Sequence, residues 1–319
     1  MRNLIFLSLL AMTLLLTACT NNESNQEKNN EINIYTTVYP LQYFAKQIGG
    51  DYVNVSSIYP PGANEHTFEP TQKDMIALAD ADVFFYIGLG LESFVENAKK
   101  SLANEHVKFV PVAEKIDEQK LQTSVGHSHE EHEHEHEHEH DHHHGEVDPH
   151  VWLSPTISKD IALTIKNELV NLLPEQENTF NTNYEQLVKR LDELDQQYKD
   201  LASHASSKTF FVSHAAFGYI AGNYGLTQIP VAGLNSQSEP SQKELAEIIE
   251  LAKKYKIQYI LFEQNVSSKL ASVIQEEIGA ESLILHNLSV LTEDDLKNNE
   301  DYFTLMEKNL KTLEKALNY

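Results

Sequence analysis

Short apolar runs alternate with amphipathic stretches in two separate parts of the chain. In the first part the β-rich runs are Ile32–Tyr35, Val53–Ile58, Val83–Ile87 and Val107–Val110, separated by helical stretches such as Leu41–Ile48 and Lys73–Ala79. The rhythm returns in Thr209–Ser213, Gln228–Val231, Tyr259–Phe262 and Leu283–Leu285, with Gln242–Tyr255 and Lys269–Ile278 between them. Strands that alternate with helices are typical of βαβ units around a parallel sheet. The pattern predicts an α/β fold of two similar lobes with mainly parallel sheets.

Between these two parts lies one long helical segment, from Pro174 to about His204. Its apolar residues recur at alternating steps of four and three, which places Leu187, Leu191, Leu194, Tyr198 and Leu201 on one side. A coiled-coil seam is the alternative, but barely two heptads are present. We expect a single long, rigid helix that bridges the two lobes and buries its stripe on them.

The N-terminus has the features of an export signal. Arg2 precedes Leu4–Leu16, an apolar stretch of 13 residues, which suits a signal peptide and is shorter than the roughly 20 residues of a membrane-spanning helix. Residues 16–19 (LTAC) then resemble a bacterial lipobox, in which the cysteine receives a diacylglycerol. A buried or free thiol is the alternative for Cys19, the single cysteine. We expect an exported protein anchored to the lipid bilayer through acylated Cys19, on the extracytoplasmic face of the cell membrane.

Two tracts of biased composition complete the predicted organisation. Residues 20–31 are polar and read as a flexible tether, whereas residues 127–144 alternate histidine with acids and read as a disordered loop. The boundaries expected are a signal peptide at 1–18, a lipid-anchored tether at 19–31 and an N-terminal α/β lobe at 32–173 that includes the His/Glu-rich loop. A linking helix follows at 174–206, and a C-terminal α/β lobe at 207–319.

Charge and cysteine content exclude several classes of function. The 319 residues contain 24 Lys and Arg against 48 Asp and Glu, a formal net charge of −24. Such a chain repels phosphate backbones and has no basic block, so no nucleic acid is expected as a partner. One cysteine can form neither an intramolecular disulfide nor a zinc ribbon.

Histidine is the residue type that points to chemistry. Of 16 histidines, ten lie within residues 127–144, and three of the other six stand in loop-like contexts at predicted element ends: His66, His150 and His214. Ligands of open α/β sheets bind beyond the carboxyl ends of the strands, where His66 and His214 should project from different lobes. A lone histidine of this kind is more often a hydrogen-bonding residue than a ligand. Three together, with a polyhistidine tract, indicate a metal site in the cleft between the lobes.

A resemblance to a known family strengthens this interpretation. Its motifs are Glu65 to Pro70 (EHTFEP), Asp148 to Leu153 (DPHVWL) and Ser213 to Tyr219 (SHAAFGY), together with the lipobox and the His/acid tract between the first two. In this order they resemble the zinc-binding solute-binding lipoproteins of ABC transporters, over essentially the whole exported chain. The resemblance implies a receptor that captures Zn²⁺ outside the membrane for an ABC transporter permease. It also implies the metal ligands His66, His150 and His214, and a monomer is expected.

The type of ligand bears on which metal is bound. Imidazole nitrogens suit Zn²⁺, whereas Mn²⁺ prefers carboxylate oxygens, so His214 at the third position favours zinc. Three imidazoles can also hold Cu²⁺, Ni²⁺ or Co²⁺. The tract at 127–144 is either a collector that hands zinc to the cleft or a solvated loop without a role.

Two other kinds of function compete with the transport receptor. A receptor or adhesin of the same fold for manganese or another divalent metal is one, although nothing in the sequence supplies a surface for a host ligand. A zinc hydrolase is another, because three histidines with an open position also hold catalytic zinc. The chain has no His-Glu-x-x-His helix, nucleophile elbow or Gly-rich phosphate loop. We therefore do not expect an enzyme.

The fourth coordination position is where the chain departs from its apparent family. Many relatives have a carboxylate in the loop after the last strand, at a position that falls on Ser289. A serine hydroxyl is a poor zinc ligand, so Glu65, water or His286 must complete the site. We rank water or Glu65 first, because His286 could enter only if its loop shifted by about 3.3 Å.

Overall fold

The computed structural model describes residues 31–121, 123, 147–238, 240–265 and 268–319. Cys19, the expected signal peptide and tether, and the His/Glu-rich tract at 127–144 lie outside the described residues. The first set of elements is β1 Ile32–Thr36, α1 Tyr39–Gly49, β2 Val53–Ser57, α2 Gln72–Ala79, β3 Val83–Tyr86, α3 Val95–Ser101 and β4 Lys108–Pro111. Two longer helices follow, α4 Pro155–Leu172 and α5 Glu177–His204. The second set is β5 Thr209–His214, α6 Gly218–Asn223, β6 Thr227–Ala232, α7 Gln242–Lys254, β7 Tyr259–Phe262, α8 Lys269–Ile278, β8 Glu281–Ile284, α9 Glu293–Lys297 and α10 Tyr302–Leu317.

The strands form two parallel sheets with the same topology. Their orders are β2-β1-β3-β4 and β6-β5-β7-β8, and every described pairing is parallel. In each sheet the chain leaves the first strand for the neighbour on one side and then crosses over to the neighbour on the other side. This reversal opens a crevice at the carboxyl ends of the two central strands. This confirms the predicted fold class, including the similarity of the two lobes. Elements β7 and α8 begin and end at the predicted residues.

The long helix α5 is present, and its apolar stripe is buried. Leu187, Leu191, Leu194 and Tyr198 are all buried, and the helix packs against α1, α4 and α10. A short 3₁₀ turn at Pro174–Gln176 precedes it, because proline suits the start of a helical segment where its missing N–H costs nothing. The helix thus touches elements of both lobes.

Helix α10 returns from the second lobe to the first. Tyr302 is buried against Phe44 of α1 with ring centroids 4.9 Å apart, and its hydroxyl donates to the carbonyl of Trp152 at 3.0 Å. Sequence patterns did not single out this helix or α4. The described residues from 32 onward consequently form one compact unit that contains both sheets. Among the described residues, no helix has both the length and the apolar character needed to cross a bilayer.

Candidate metal centre

His66 lies in the turn that follows β2, on the side of the site that is open to solvent. The side-chain oxygen of Asn64 accepts the backbone N–H of His66 at 2.9 Å, which fixes the turn. A pocket of about 110 Å³ opens beside the imidazole. Of the three predicted histidines, only His66 lines this pocket, and the other two are almost fully buried. His66 therefore stands where an ion entering from solvent would first meet the site.

His150 is fully buried and is oriented by Asp148. One carboxylate oxygen, Oδ1, accepts both the backbone N–H of His150 at 2.9 Å and its ring Nδ1–H at 2.8 Å. The Trp152 ring packs beside the imidazole, with centroids 5.4 Å apart. Gly218 is required here, since a Cβ at that position would lie 2.7 Å from Asp148 Oδ2. The arrangement holds Nδ1 in a hydrogen bond and leaves Nε2 to face the site.

His214 is the last residue of β5, a central strand of its sheet. Its Nδ1–H donates to Glu263 Oε1 at 2.6 Å, and both side chains are about 1% exposed. Glu263 directly follows β7, the neighbouring strand, so the carboxyl ends of two adjacent strands supply the pair. Nε2 points away from Glu263 and lies 2.9 Å from the carbonyl of Leu234.

The three imidazoles predicted from sequence come together in space. One ligand nitrogen from each lies within 4.8 Å of the other two, and within the described residues no other group of three His, Cys, Asp or Glu meets that test. The Nε2 atoms of His66 and His150 are 3.3 Å apart. Two nitrogens bound at about 2.05 Å to a tetrahedral Zn²⁺ would be separated by about 3.3 Å. The spacing of the His66 and His150 nitrogens therefore suits two ligands of one zinc ion.

A larger pocket, of about 660 Å³, lies far from these residues between α5 and α10. Its single imidazole, His204, is hydrogen-bonded to the backbone of its own helix through Nδ1, which lies 2.8 Å from the carbonyl oxygen of Asp200. His106, which also stands apart from the site, is exposed near Asp82. Neither residue belongs to a set of converging ligands, and pocket size is therefore a poor guide to the chemistry of this protein.

Burial and mutual repulsion keep two of the three histidines neutral. Burial, followed by the proximity of His150 and His214, lowers the pKa of His66 to about 3. Burial and His214 likewise hold the pKa of His150 well below its ordinary value. Burial also opposes the protonation of His214, but the charge and hydrogen bond of Glu263 outweigh it and raise the pKa of His214 to about 9. In the metal-free protein, His214 is therefore the imidazolium and Glu263 its counterion.

Glu65 is a buried carboxylate next to His66, and Ser289 holds it. Its Oε1 lies 3.9 Å from His66 Nε2, and its Oε2 accepts the hydroxyl of Ser289 at 2.9 Å. Burial, together with the charge of Glu263, raises the pKa of Glu65 to about 7. Ser289, at the position where the resemblance led us to expect an acid, thus bonds to the carboxylate on the opposite wall.

His286 does not face the site. It is buried, its Nε2 lies 3.1 Å from Asp295 Oδ2, and its Nδ1 accepts the backbone N–H of Leu288 at 2.9 Å. Leu288 adopts a φ of 58°, which turns the following residues of this loop toward Glu65. Both ring nitrogens of His286 are thus committed to its own loop. The ring is therefore held within its own loop in the metal-free structure.

Three residues around the site were not found from sequence: Glu263, Asp148 and Asn287. Glu263 could have been, because an acid directly after a predicted strand next to the strand of His214 should lie beside it. Asp148 stood inside a quoted motif, but its hydrogen bond depends on a turn that spacing alone does not specify. Asn287 has no sequence signal, since buried amides resemble any loop asparagine.

The fold and the histidine cluster define an α/β protein with a candidate transition-metal site in the crevice between two sheets. The chain belongs to the ZnuA family, described as the periplasmic component A of a zinc-uptake complex, whose model matches residues 34–316. It is 36% identical over 310 residues to the high-affinity zinc uptake system protein ZnuA of Bacillus subtilis, covering 96% of this chain and 95% of that protein.

Two further relatives are streptococcal. The zinc-binding protein AdcA of Streptococcus pyogenes is 40% identical over 288 residues, which are 89% of this chain and 55% of AdcA. The chain therefore spans little more than half the length of several curated relatives that it matches. The crystal structure of the Zn(II)-bound ZnuA-like domain of Streptococcus pneumoniae AdcA superposes with a TM-score of 0.73 at 35% identity, covering 91% of this chain and all of that domain.

Proposed function

We propose that this protein is an extracytoplasmic receptor that captures Zn²⁺ and delivers it to the permease of an ABC transporter for zinc uptake. The observation that supports this most is the convergence of three imidazole nitrogens within 4.8 Å at the carboxyl ends of the strands. Membership of the ZnuA family supports it independently, as do the zinc-binding names of the relatives.

The proposed ligands are the Nε2 atoms of His66, His150 and His214. Glu65 supplies the fourth ligand, directly or through a water molecule, because its carboxylate lies 3.9 Å from His66 and none of the other candidates faces the site. Asp148 and Glu263 orient two of the imidazoles and strengthen them as donors, as carboxylates bound to ligating histidines do. Three nitrogen ligands with one oxygen favour Zn²⁺ over Mn²⁺.

Capture and release follow from where the ligands lie. His66 belongs to the first sheet's loops and His214 to the second sheet, so the ion would join the two walls of the crevice. A permease that separates these walls would remove ligands from the ion without unfolding either sheet. The transport role needs no chemistry at the metal, and Glu65, the acid nearest to it, already accepts bonds from Asn287 and Ser289 rather than facing a substrate pocket. We infer that the protein is not an enzyme.

Cys19 completes the proposal at the membrane. We expect acylated Cys19 to hold a monomeric protein on the extracytoplasmic face of the cell membrane, close to its permease. Replacing Cys19 by Ser should move the protein from the membrane fraction to the soluble fraction and abolish labelling with a radioactive fatty acid. Labelling that persists in the variant would count against this anchor.

The ligand assignment is tested by isothermal titration of Zn²⁺ into four single variants. His66→Ala, His150→Ala and His214→Ala should each weaken binding by orders of magnitude, because each removes a ligand. His106→Ala, a histidine outside the site, is the matched control and should bind as the parent does. An unchanged affinity in any of the first three would remove that residue from the site.

The competing functions are separated by two further measurements. Competition of Mn²⁺ against Zn²⁺ should leave zinc bound even when Mn²⁺ is in large excess, whereas the oxygen-rich site of a manganese receptor would release zinc under that excess. The zinc-loaded protein should hydrolyse esters and hydrate carbon dioxide no faster than free Zn²⁺. Deleting residues 127–144 should remove weak zinc sites and keep the tight one, since a disordered tract must be ordered by the metal.

A further inference from the structure

Asn287 occupies the centre of the hydrogen-bond network behind the proposed metal ligands. It is fully buried and lies in the loop after β8. Its single amide nitrogen, Nδ2, donates to Glu65 Oε1 at 3.0 Å and to Glu263 Oε2 at 2.9 Å. One amide group therefore bridges two buried carboxylates that belong to opposite walls of the crevice.

The hydrogen bonds of the Asn287 side-chain oxygen fix the orientation of this amide. Oδ1 accepts the backbone N–H of Ser289 at 3.0 Å and the side-chain amide of Gln264 at 2.9 Å. A flipped amide would turn its oxygen toward two carboxylates and its N–H groups toward two donors. Only one of the two orientations satisfies the buried groups, and each of them would be costly to leave unpaired.

All three proposed imidazole ligands connect to Asn287 through one intermediate residue each. Glu65 adjoins His66, and Glu263 holds His214. On the third side, Trp152, whose ring packs beside His150, donates its Nε1–H to the backbone carbonyl of Asn287 at 2.7 Å. No charged donor among the described residues bonds to Glu65, whose neighbours here are an amide and a hydroxyl.

We propose that Asn287 is a positioning residue of the metal centre, which places the carboxylate of Glu65 at the fourth coordination position and fixes the Glu263–His214 pair. The inference rests on the proposed function. Without the shared donor, the two carboxylates face each other as unscreened like charges, and Glu65 turns away from the ion. Asn287 thereby sets the coordination geometry and with it the preference for Zn²⁺ over ions that accept more oxygen ligands.

The test replaces the donor while keeping the shape, with Asn287→Asp in the full chain. We expect Zn²⁺ affinity to fall about tenfold or more, and the ratio of Zn²⁺ to Mn²⁺ affinity to fall with it. The Co²⁺-loaded variant should lose the intense visible absorption of four-coordinate cobalt. If the variant does not fold, Asn287→Ser serves instead, because its one hydroxyl proton can reach only one of the two carboxylates.

Asn309→Asp is the matched control. Asn309 is equally buried and clamps the same loop, with Nδ2 donating to the carbonyl of His286 at 2.7 Å and Oδ1 accepting its N–H at 2.8 Å. A merely structural role for Asn287 would change stability in both variants alike and leave the affinity ratio and the cobalt spectrum unchanged.

A double-mutant cycle decides whether Asn287 acts through Glu65. The effects of Asn287→Asp and Glu65→Gln on zinc affinity should be less than additive. Full additivity, or a cobalt spectrum like that of the parent, overturns the inference while tight binding by the parent protein leaves the proposed function intact. Failure of the parent protein to bind zinc would refute the proposed function itself.

Discussion

Zinc binding is expected to displace a proton from His214, because Glu263 holds that imidazole in its charged form. The pKa of His214 is raised to about 9, so at pH 7 nearly all of the metal-free protein has this proton. Removing it at pH 7 costs on the order of 3 kcal/mol. Protons and zinc compete, and the zinc affinity should therefore rise about tenfold per pH unit between pH 7 and 9.

Glu263→Gln removes the cause of this competition. Without the counterion, burial, which is the largest influence on the pKa of His214 and lowers it, keeps the imidazole neutral, so the slope between pH 7 and 9 should nearly vanish. The variant also loses the carboxylate that orients and strengthens His214, which costs about 10- to 100-fold in affinity. Near pH 7, the loss of proton competition offsets the loss of the supporting carboxylate, so the variant and the parent should bind zinc about equally. At pH 9 the proton competition is largely gone in the parent as well, and the weaker zinc affinity of the variant should appear in full.

The assay is chelator competition at pH 7, 8 and 9, with titration calorimetry in buffers of different ionisation enthalpy to count released protons. The parent should release about one more proton than Glu263→Gln at pH 8. The matched control is Glu168→Gln, which alters a buried acid that pairs with Lys108 far from the site. Equal slopes and equal proton release in parent and Glu263→Gln would refute the reasoning.

Three further predictions concern stability and the second-ranked ligand. His286→Ala should leave zinc affinity unchanged but lower the free energy of unfolding by about 1 kcal/mol, because it removes the hydrogen bond to Asp295. Urea denaturation measures the change in stability, and a large loss of zinc affinity would show that His286 is a ligand. Burial raises the pKa of Glu92 to about 7 from 4.5, so its contribution to stability falls by about 3 kcal/mol as pH rises from 4.5 to 7. Urea curves of Glu92→Gln should lack this fall relative to the parent, and parallel pH profiles would contradict it. Arg190→Ala should destabilise by about 1 kcal/mol, since its guanidinium lies 3.8 Å from the Phe303 ring centroid; an unchanged urea midpoint would mean that this stacking contributes nothing.

Periodicity predicted the fold well because its information is local. The stripe of α5 and the β-branched runs report burial at each position, and parallel order follows from the alternation of strands and helices. The helices α4 and α10 were not singled out. Tyr302 of α10 is buried by contact with Phe44, and contacts between residues so distant in sequence leave no periodic signal at either one.

The site also contains some residues that the sequence predicts and others that it does not. His66 and His214 could be placed near each other because strand ends converge in an open sheet, whereas His150 was added by its motif and by the resemblance to the family. The roles of Glu65 and Asn287 could not, because they depend on where a loop after β8 meets a turn after β2. That encounter is set by the positive φ of Leu288 and by the bonds of His286 within its own loop.

The contacts of Ser289 explain why a serine, and not the acid that the resemblance implies, fits this position. Its hydroxyl is 2.9 Å from Glu65 Oε2, so a carboxylate at this position would face another buried carboxylate at close range. Two such anions repel each other unless a metal, a shared proton or a hydrogen-bond donor lies between them. Serine instead offers a neutral hydroxyl, which lies 2.9 Å from both Glu65 Oε2 and Asn287 Oδ1, and Glu65 is left as the carboxylate nearest His66. In the proposed site, Glu65 takes the role of the acid that the resemblance implies at position 289, and the Ser289 hydroxyl bonds to its carboxylate.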